Sequence, residues 1–325
     1  MATKNLVDNM TALEVARRSS DPDAFTIIET MAMTNTMLQE LPAKEANEGT
    51  VHTSLKRLSY PHGEHRVYNR GVGAKSSQTK PQQDVIAMLE AHADVDYDMA
   101  LHSGNASALY KSEAEAFLVG MGEDQADDMI YGSRGNNEAM INGLAARYPK
   151  VDGARCVSFG GTGNSLTSVY ITAPGPNSLH LIYPRGHKSV GVSREDGGLI
   201  WAKDPKDSSK EFRAHRDVFK AQYGIAVIHP DAVIRICNIP VNLNKDQRID
   251  LLEMILKYQK RLTKGIVNNV LFVNGDIIYQ IERAGRESQY VIHPETDPWG
   301  KPVTAINGIK LREQDAILST ESQVA

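Results

Sequence analysis

The chain has 325 residues, 41% hydrophobic and 23% charged, with a formal net charge of −4. That length holds one large domain or two ordinary ones, and the composition fits a globular protein with a sizeable core. A weakly acidic chain without a long basic run argues against a dedicated nucleic-acid binder, and no apolar run is long enough to span a bilayer.

The N-terminus, MATKNLVDNM, has no apolar signal core, so export by a signal peptide is not expected. Two cysteines, Cys156 and Cys237, make no disulfide framework and fit a reducing, intracellular origin. Met10, Leu13, Val15 and Ala16 give a short helical pattern that stops at Ser19-Ser20-Asp21-Pro22. Ser20 or Asp21 as cap and Pro22 in the first turn predict a helix over about 23–41, with Phe25, Ile28, Met31 and Ala32 on one side. This piece has too little apolar surface to fold alone and must pack on its own chain or a neighbour.

Residues 46–84 are polar and rich in cations: Lys56, Arg57, Arg66, Arg70, Lys75 and Lys80. Strands are expected over 50–58 and 64–68 around Tyr60-Pro61-His62-Gly63. A long polar hairpin has no core of its own, and excursions of this length are usually functional or disordered. His52, His62 and His65 raise a metal site, but no ligand spacing is completed, so solvated histidines are the plainer reading.

From Pro81 the pattern turns helical through Val85, Ile86, Met88, Leu89 and His92. A longer helix is predicted from about 105 to 119, with Gly120 and Gly122 stopping it. Glu113 and Glu115 lie two apart on it, which makes them a solvated face rather than a catalytic pair. Asp127-Asp128 then lead towards a short helix before Pro149. Gly160-Gly161-Thr162-Gly163 could cradle a phosphate, but it lacks the G-x-x-x-x-G-K-[ST] pattern and precedes a strand, which favours a tight turn.

Leu166–Thr172 and Ser178–Tyr183 read as strands joined by Ala173-Pro174-Gly175-Pro176-Asn177, a β-hairpin. Residues 191–210 read as loop, and 223–229 and 232–237 as strands. An amphipathic helix is predicted over 245–264, with Ile249, Leu252, Ile255, Leu256 and Leu262 on one face and Gly265 at its C-cap. A strand over 269–274, a helix over 276–284 and a strand pair turning at Asn307-Gly308 complete the chain. There is no G-x-S-x-G, H-E-x-x-H or C-x-x-C. A mixed α/β chain with an arm and a long polar hairpin suggests assembly between copies. The competing reading is a soluble α/β enzyme or nucleotide binder using Gly160–Gly163.

One ordered set of short motifs adds to this. It comprises Tyr131-Gly132, Asn142-Gly143-Leu144-Ala145-Ala146-Arg147-Tyr148, Gly160-Gly161-Thr162-Gly163, Thr167-Ser168-Val169-Tyr170, Ile182-Tyr183-Pro184-Arg185-Gly186, Glu195-Asp196-Gly197-Gly198, Arg235-Ile236-Cys237-Asn238-Ile239 and Asn307-Gly308-Ile309-Lys310-Leu311. In that order it resembles the major capsid proteins of epsilon-fifteen-like short-tailed dsDNA phages, over most of the chain beyond residue 80. Each motif alone is weak; the shared order is specific.

The resemblance implies an α+β Hong Kong 97-type capsid fold. On this chain it would comprise an N-terminal arm (1–45), an E-loop (46–84), a P-domain (85–240) with a spine helix at about 104–121, and an A-domain (241–325). Because the module 246–318 follows the hairpin module, a permuted chain order is expected. The implied function is self-assembly, as hexamers and pentamers, into an icosahedral shell around the phage genome. The implied partners are a decoration or scaffolding protein, a portal, and packaged dsDNA by non-specific contact. The implied place is the virion, after synthesis in the host cytoplasm. No catalytic residue, cofactor, metal or membrane contact is implied, and nothing identifies a Lys–Asn crosslink. Lys56, Arg57, Arg66, Arg70 and Lys75 of the E-loop are expected to meet Glu113, Glu115, Asp124, Asp127 or Asp128 of a neighbour.

Overall fold

The structure is a computed structural model that describes residues 10–18, 22–57, 59, 61–187, 190–204, 206–207, 209–262, 269–287, 292–296, 302–306 and 308–325. Helices α1 (Ala12–Arg18), α2 (Pro22–Thr34) and α3 (Met37–Glu40) lead into β1 (Ala43–Glu45). The single helix expected over 23–41 is broken at Asn35-Thr36. Asn35 is fully buried; its side chain accepts from the Met37 N–H and donates to Gln125 Oε1 at 3.3 Å. Its local side-chain bond competes with the helix ladder and ends it. The caps expected at Ser20 or Asp21 lie outside the described residues.

Strands β2 (Val51–Arg57) and β3 (Thr79–Val85) form an antiparallel pair running from Val51↔Val85 to Arg57↔Thr79. The partner strand is therefore 79–85, not the expected 64–68. Pairing starts where the hairpin meets the core, beside Ile86, which clusters with Ala46, Ile182 and Ala226. Residues 61–81 are exposed throughout and bury nothing against their own subunit.

The helix expected after Pro81 is a strand, β4 (Ala87–Asp96), followed by α4 (Tyr97–His102). Ala87, Ala93 and Val95 are buried, while Met88, Glu90, His92 and Asp94 are exposed, a period of two. Its residues favour helix, but ten-residue pairing with β9 (Glu211–Val227) overrides them.

Helix α5 (Ala106–Tyr131) starts at Asn105, whose side chain accepts from the Ala108 N–H. It does not stop near 121. Gly120 faces open space, and Gly122 lets α2 approach: a Cβ there would collide with Thr34 Oγ1 and lie 3.0 Å from Met31 O. Ala114, Leu118, Met121, Gly122, Gln125, Ala126, Met129 and Ile130 form its buried stripe.

The rest is α6 (Leu144–Arg147), β5 (Cys156–Ser158), β6 (Leu166–Thr172), β7 (Leu179–Tyr183), β8 (Val192–Lys203), β9, β10 (Val233–Pro240), α7 (Lys245–Gln259), β11 (Asn269–Val273), α8 (Gly275–Glu287), β12 (Ile292–Thr296), β13 (Pro302–Ile306) and β14 (Ile309–Glu313). A five-stranded sheet runs β1-β7-β9-β4, with β8 also on β9; a seven-stranded sheet runs β12-β13-β14-β11-β6-β10-β5. The expected hairpin at 166–183 is thus a crossover. β6 lies between β10 and β11, and β7 lies between β1 and β9. Residues 192–203, expected as loop, form a polar strand along β9. Helix α7 ends at Gln259, and Gly265 lies outside the described residues.

The central strands of the seven-stranded sheet serve two cores. Tyr170, Val270 and Phe272 join α2, α5 and the five-stranded sheet, whereas Val169, Ile171, Leu271 and Val273 face α7 and α8. Burial on both faces explains why β6 and β10 are enclosed at nearly every position, without alternation, their few polar side chains included. Each fully buried large side chain contributes about 1.5–3 kcal/mol.

The layers are not successive stretches of chain. The seven-stranded sheet draws on 156–172, 233–240 and 269–313, and the five-stranded sheet on 43–45, 87–96, 179–183 and 192–227. A cut at 240 would separate β10 and β6 from β11, their sheet mate. The span 85–240 divides between the sheets: β6 and β10 lie in the seven-stranded one, β7 and β9 in the five-stranded one. Among the described residues no helix is long and apolar enough to cross a membrane.

The chain's last stretch closes this sheet. Glu321 pairs with Leu166, and its buried carboxylate accepts from Arg235 Nη2 at 3.0 Å, Ser168 Oγ at 2.5 Å and Tyr131 Oη at 2.5 Å.

Candidate functional site

The surfaces that sequence reading singled out are the basic excursion 46–84 and the acids of α5. The base of the excursion is fixed. Arg147 donates to Asp84 Oδ1 at 2.8 Å and to Ile225 O at 2.9 Å, tying β3 to β9. His52 of β2 is buried and meets His180 of β7 edge-on, with ring centroids 5.6 Å apart. Burial, with help from the charges of His52 and Lys44, pushes the His180 imidazole down to about 3; burial also lowers His52. His62 and His65 stay exposed on the tip, so the three histidines do not assemble.

Lys56 sits beside Arg155 and Arg147, and burial together with those two cations lowers its pKa. Lys75 pairs within the loop with Glu64 at 2.6 Å, and Arg66 Nε donates to Arg70 O at 2.8 Å. Lys80 is exposed, and the side chain of Arg57 lies outside the described residues.

Sequence reading missed the apolar part of this surface. Tyr68 is 96% exposed, and Leu55, Val67 and Val72 are exposed as well. Solvent-facing tyrosine flanked by arginine is the composition of interface anchors. The signal was legible as Val67-Tyr68 between Arg66 and Arg70 in a stretch with no core.

On α5, Glu113, Glu115, Glu123, Asp124 and Asp127 are exposed and Asp128 is half-buried. Asp128 accepts from Tyr223 Oη at 2.7 Å. Burial raises Asp127 and Asp128, and neighbouring acids raise them further. Among the described residues none of the six forms an ion pair within the chain. The structure brings the cations together on one excursion and the acids together on one helix, and within one subunit it does not join the two sets.

The glycine loop does not fit a phosphate. The Gly161 N–H donates to Asn238 O at 2.9 Å and the Gly160 N–H to Ser158 Oγ at 3.1 Å, so two of its amides are engaged. The adjoining groove, about 640 Å³, is lined by Asp250 and Glu253 against a single cation, Lys257. Two carboxylates repel the ligand that a phosphate cradle requires. Cys156 and Cys237 are buried and unbridged, with sulfurs 3.7 Å apart.

An arm, an extended two-stranded excursion, a 26-residue spine helix and two layered sheets define the Hong Kong 97-type capsid fold, in an α+β subunit. The chain is similar to a chain of the bacteriophage Epsilon15 structure, at 23% identity over 87% of each chain with a TM-score of 0.63. It is also similar to the bacteriophage JBD30 capsid, at 11% identity over 94% of this chain and 98% of that one, TM-score 0.47. Against the SrpI encapsulin of Synechococcus elongatus PCC 7942 the values are 11%, 64% and 88%, and 0.42. No match was found among curated proteins. The family model of major capsid protein GP7 matches residues 19–325, and the chain belongs to that family. It is a self-assembling, shell-forming protein of a phage capsid.

Proposed function

We propose that this subunit builds an icosahedral shell of hexamers and pentamers around a dsDNA genome, without catalytic activity, and that the E-loop joins neighbours. Residues 1–45 serve as the arm and 46–84 as the E-loop. The P-domain is the five-stranded sheet with α5, and the A-domain is the layer of β11 with α7 and α8. Lys56, Arg57, Arg66, Arg70 and Lys75 meet Glu113, Glu115, Asp124, Asp127 and Asp128 of the next subunit, with Tyr68 as apolar anchor. The carrying observation is that Arg66, Arg70, Lys75 and Tyr68 are exposed on a core-less excursion while, among the described residues, the acids of α5 form no ion pair within the chain. Each exposed pair contributes about 0–1 kcal/mol, so the effect sums over many copies.

The further partners in this reading are a decoration or scaffolding protein, a portal, and DNA held loosely. The subunit is made in the host cytoplasm. With a net charge of −4, DNA binding by the isolated subunit should be weak, salt-sensitive and sequence-independent. The test replaces Lys56, Arg57, Arg66 and Arg70 together by Ser. A folded subunit that makes no shells under electron microscopy supports the reading; normal particles overturn it.

A further inference from the structure

Away from the E-loop, three side chains bring imidazole and carboxylate donors together: Asp196, His215 and Asp217, with donor atoms all within 4.8 Å of one another. The sheet builds this. His215 and Asp217 lie two apart on β9 and share a face. On β8 the register slips, so that Asp196 opposes Asp217 while Gly198 opposes Arg216. Gly197 is the extra residue, and Gly198 takes the left-handed φ of +64° that this bulge requires. The result sets two carboxylates directly opposite on one ladder, which alone is destabilising.

The nearby cations do not balance the cluster. Arg194 Nη2 donates to Asp217 Oδ2 at 2.9 Å. Arg216 is on the other face, held by both oxygens of Asp94. His215 Nε2 lies 3.2 Å from Asp196 Oδ1. Asp217 is 3% exposed, and its Oδ1 accepts no hydrogen bond from any described group. A buried carboxylate oxygen without a donor is costly and calls for a further positive partner. The ring of Tyr110, from α5, stacks on His215 with centroids 4.6 Å apart and fixes the imidazole plane. Asp196 is exposed and gives access from solvent.

We propose that Asp196, His215 and Asp217 bind a divalent first-row transition cation of the zinc type, on the β8–β9 face beside α5. One imidazole nitrogen with two carboxylates suits such an ion, whereas magnesium and calcium favour all-oxygen shells of six or more. Donors about 2.0–2.2 Å from zinc lie about 3–4 Å apart. Small rotations of the exposed Asp196 close the present spacing, while Tyr110 holds the His215 ring and Arg194 holds Asp217 in place. The fourth position is left to water.

The test uses the full-length protein after chelator treatment, titrated with Co²⁺, followed by visible absorption and calorimetry, with Zn²⁺ as competitor. One Co²⁺ per chain, displaced by Zn²⁺, is expected. Asp196→Asn, at an exposed position that leaves the fold intact, should weaken binding at least tenfold, and His215→Gln should abolish the Co²⁺ spectrum. Zn²⁺ should raise the melting temperature of the natural protein and not that of Asp196→Asn. No binding below millimolar Co²⁺, equal binding by both variants, or a preference for Ca²⁺ over Co²⁺ overturns the site.

Discussion

The seven-stranded sheet and the E-loop are opposite solutions within one chain. Its central strands β6, β10 and β11 are buried on both faces, and the one cation they enclose is matched: Arg235 and Glu321 form an ion pair with both side chains almost wholly enclosed. The E-loop, from 61 to 81, buries nothing in its own subunit and displays cations and Tyr68 to solvent. In the proposed reading, stability resides in one region and association in the other. A change in the first should act on the isolated subunit, and a change in the second should act only when copies meet.

The strongest challenge to this division is Glu321→Ala. It leaves the Arg235 guanidinium buried beside Ser168 and Tyr170 without a counter-charge, so a loss of about 3–5 kcal/mol is expected. Urea unfolding of the subunit measures it; a loss under 1 kcal/mol would mean the pair does not close the sheet. Next is Gly122→Ala, which forces α2 off α5 and should cost about 1–3 kcal/mol through overpacking. Its signature is faster hydrogen exchange in α2 with the seven-stranded sheet still protected.

The joint between the E-loop and the five-stranded sheet should respond to pH. The folded pKa of His180, about 3, lies below its ordinary 6.5, so the neutral ring is favoured. That contribution is complete above pH 6.5 and is lost as pH falls towards 3. Acidification from pH 7 to 5 should weaken the β2–β7 contact by about 2 kcal/mol, seen as faster exchange in β2. His180→Phe, which has no titrating nitrogen, should flatten the response; an unchanged response would assign it to other groups. The smallest effect belongs to Lys75→Ser. The exposed pair with Glu64 contributes about 0–1 kcal/mol, so subunit melting should not move. A shift of several degrees would show that the loop is structural within its own subunit.

Sequence patterning located the elements whose local signals agree with their packing. Helix α7 has the capping box Asn244–Gln247 and an apolar face, and β11 is a short apolar run. It failed where tertiary contacts decide. The period of two in β4 was present in Ala87, Leu89, Ala91, Ala93 and Val95, but alanine and leucine also suit a helix. β8 reads as loop because its residues are polar, and only its partner β9 makes it a strand. The split of β6 from β7 between sheets is invisible locally, since Ala173-Pro174-Gly175 serves a crossover as well as a turn. The basic residues of the E-loop were legible as charge, whereas the Asp196–His215–Asp217 cluster depends on a register slip that no spacing in the sequence announces.

The interleaving of the two sheets also sets the order of events during folding. Thr172 Oγ1 donates to Val270 O across 98 residues, and β6 stays unpaired on that side until β11 has arrived. Loops of that size must close before the central strands gain their neighbours, so the topology folds slowly relative to helical chains of similar length. The E-loop hairpin, though local in sequence, has no core and gains its pairing only once its base meets the five-stranded sheet. Until β11 arrives the buried edge of β6 stays open, so a fast supply of chains should favour misjoined aggregates over shells.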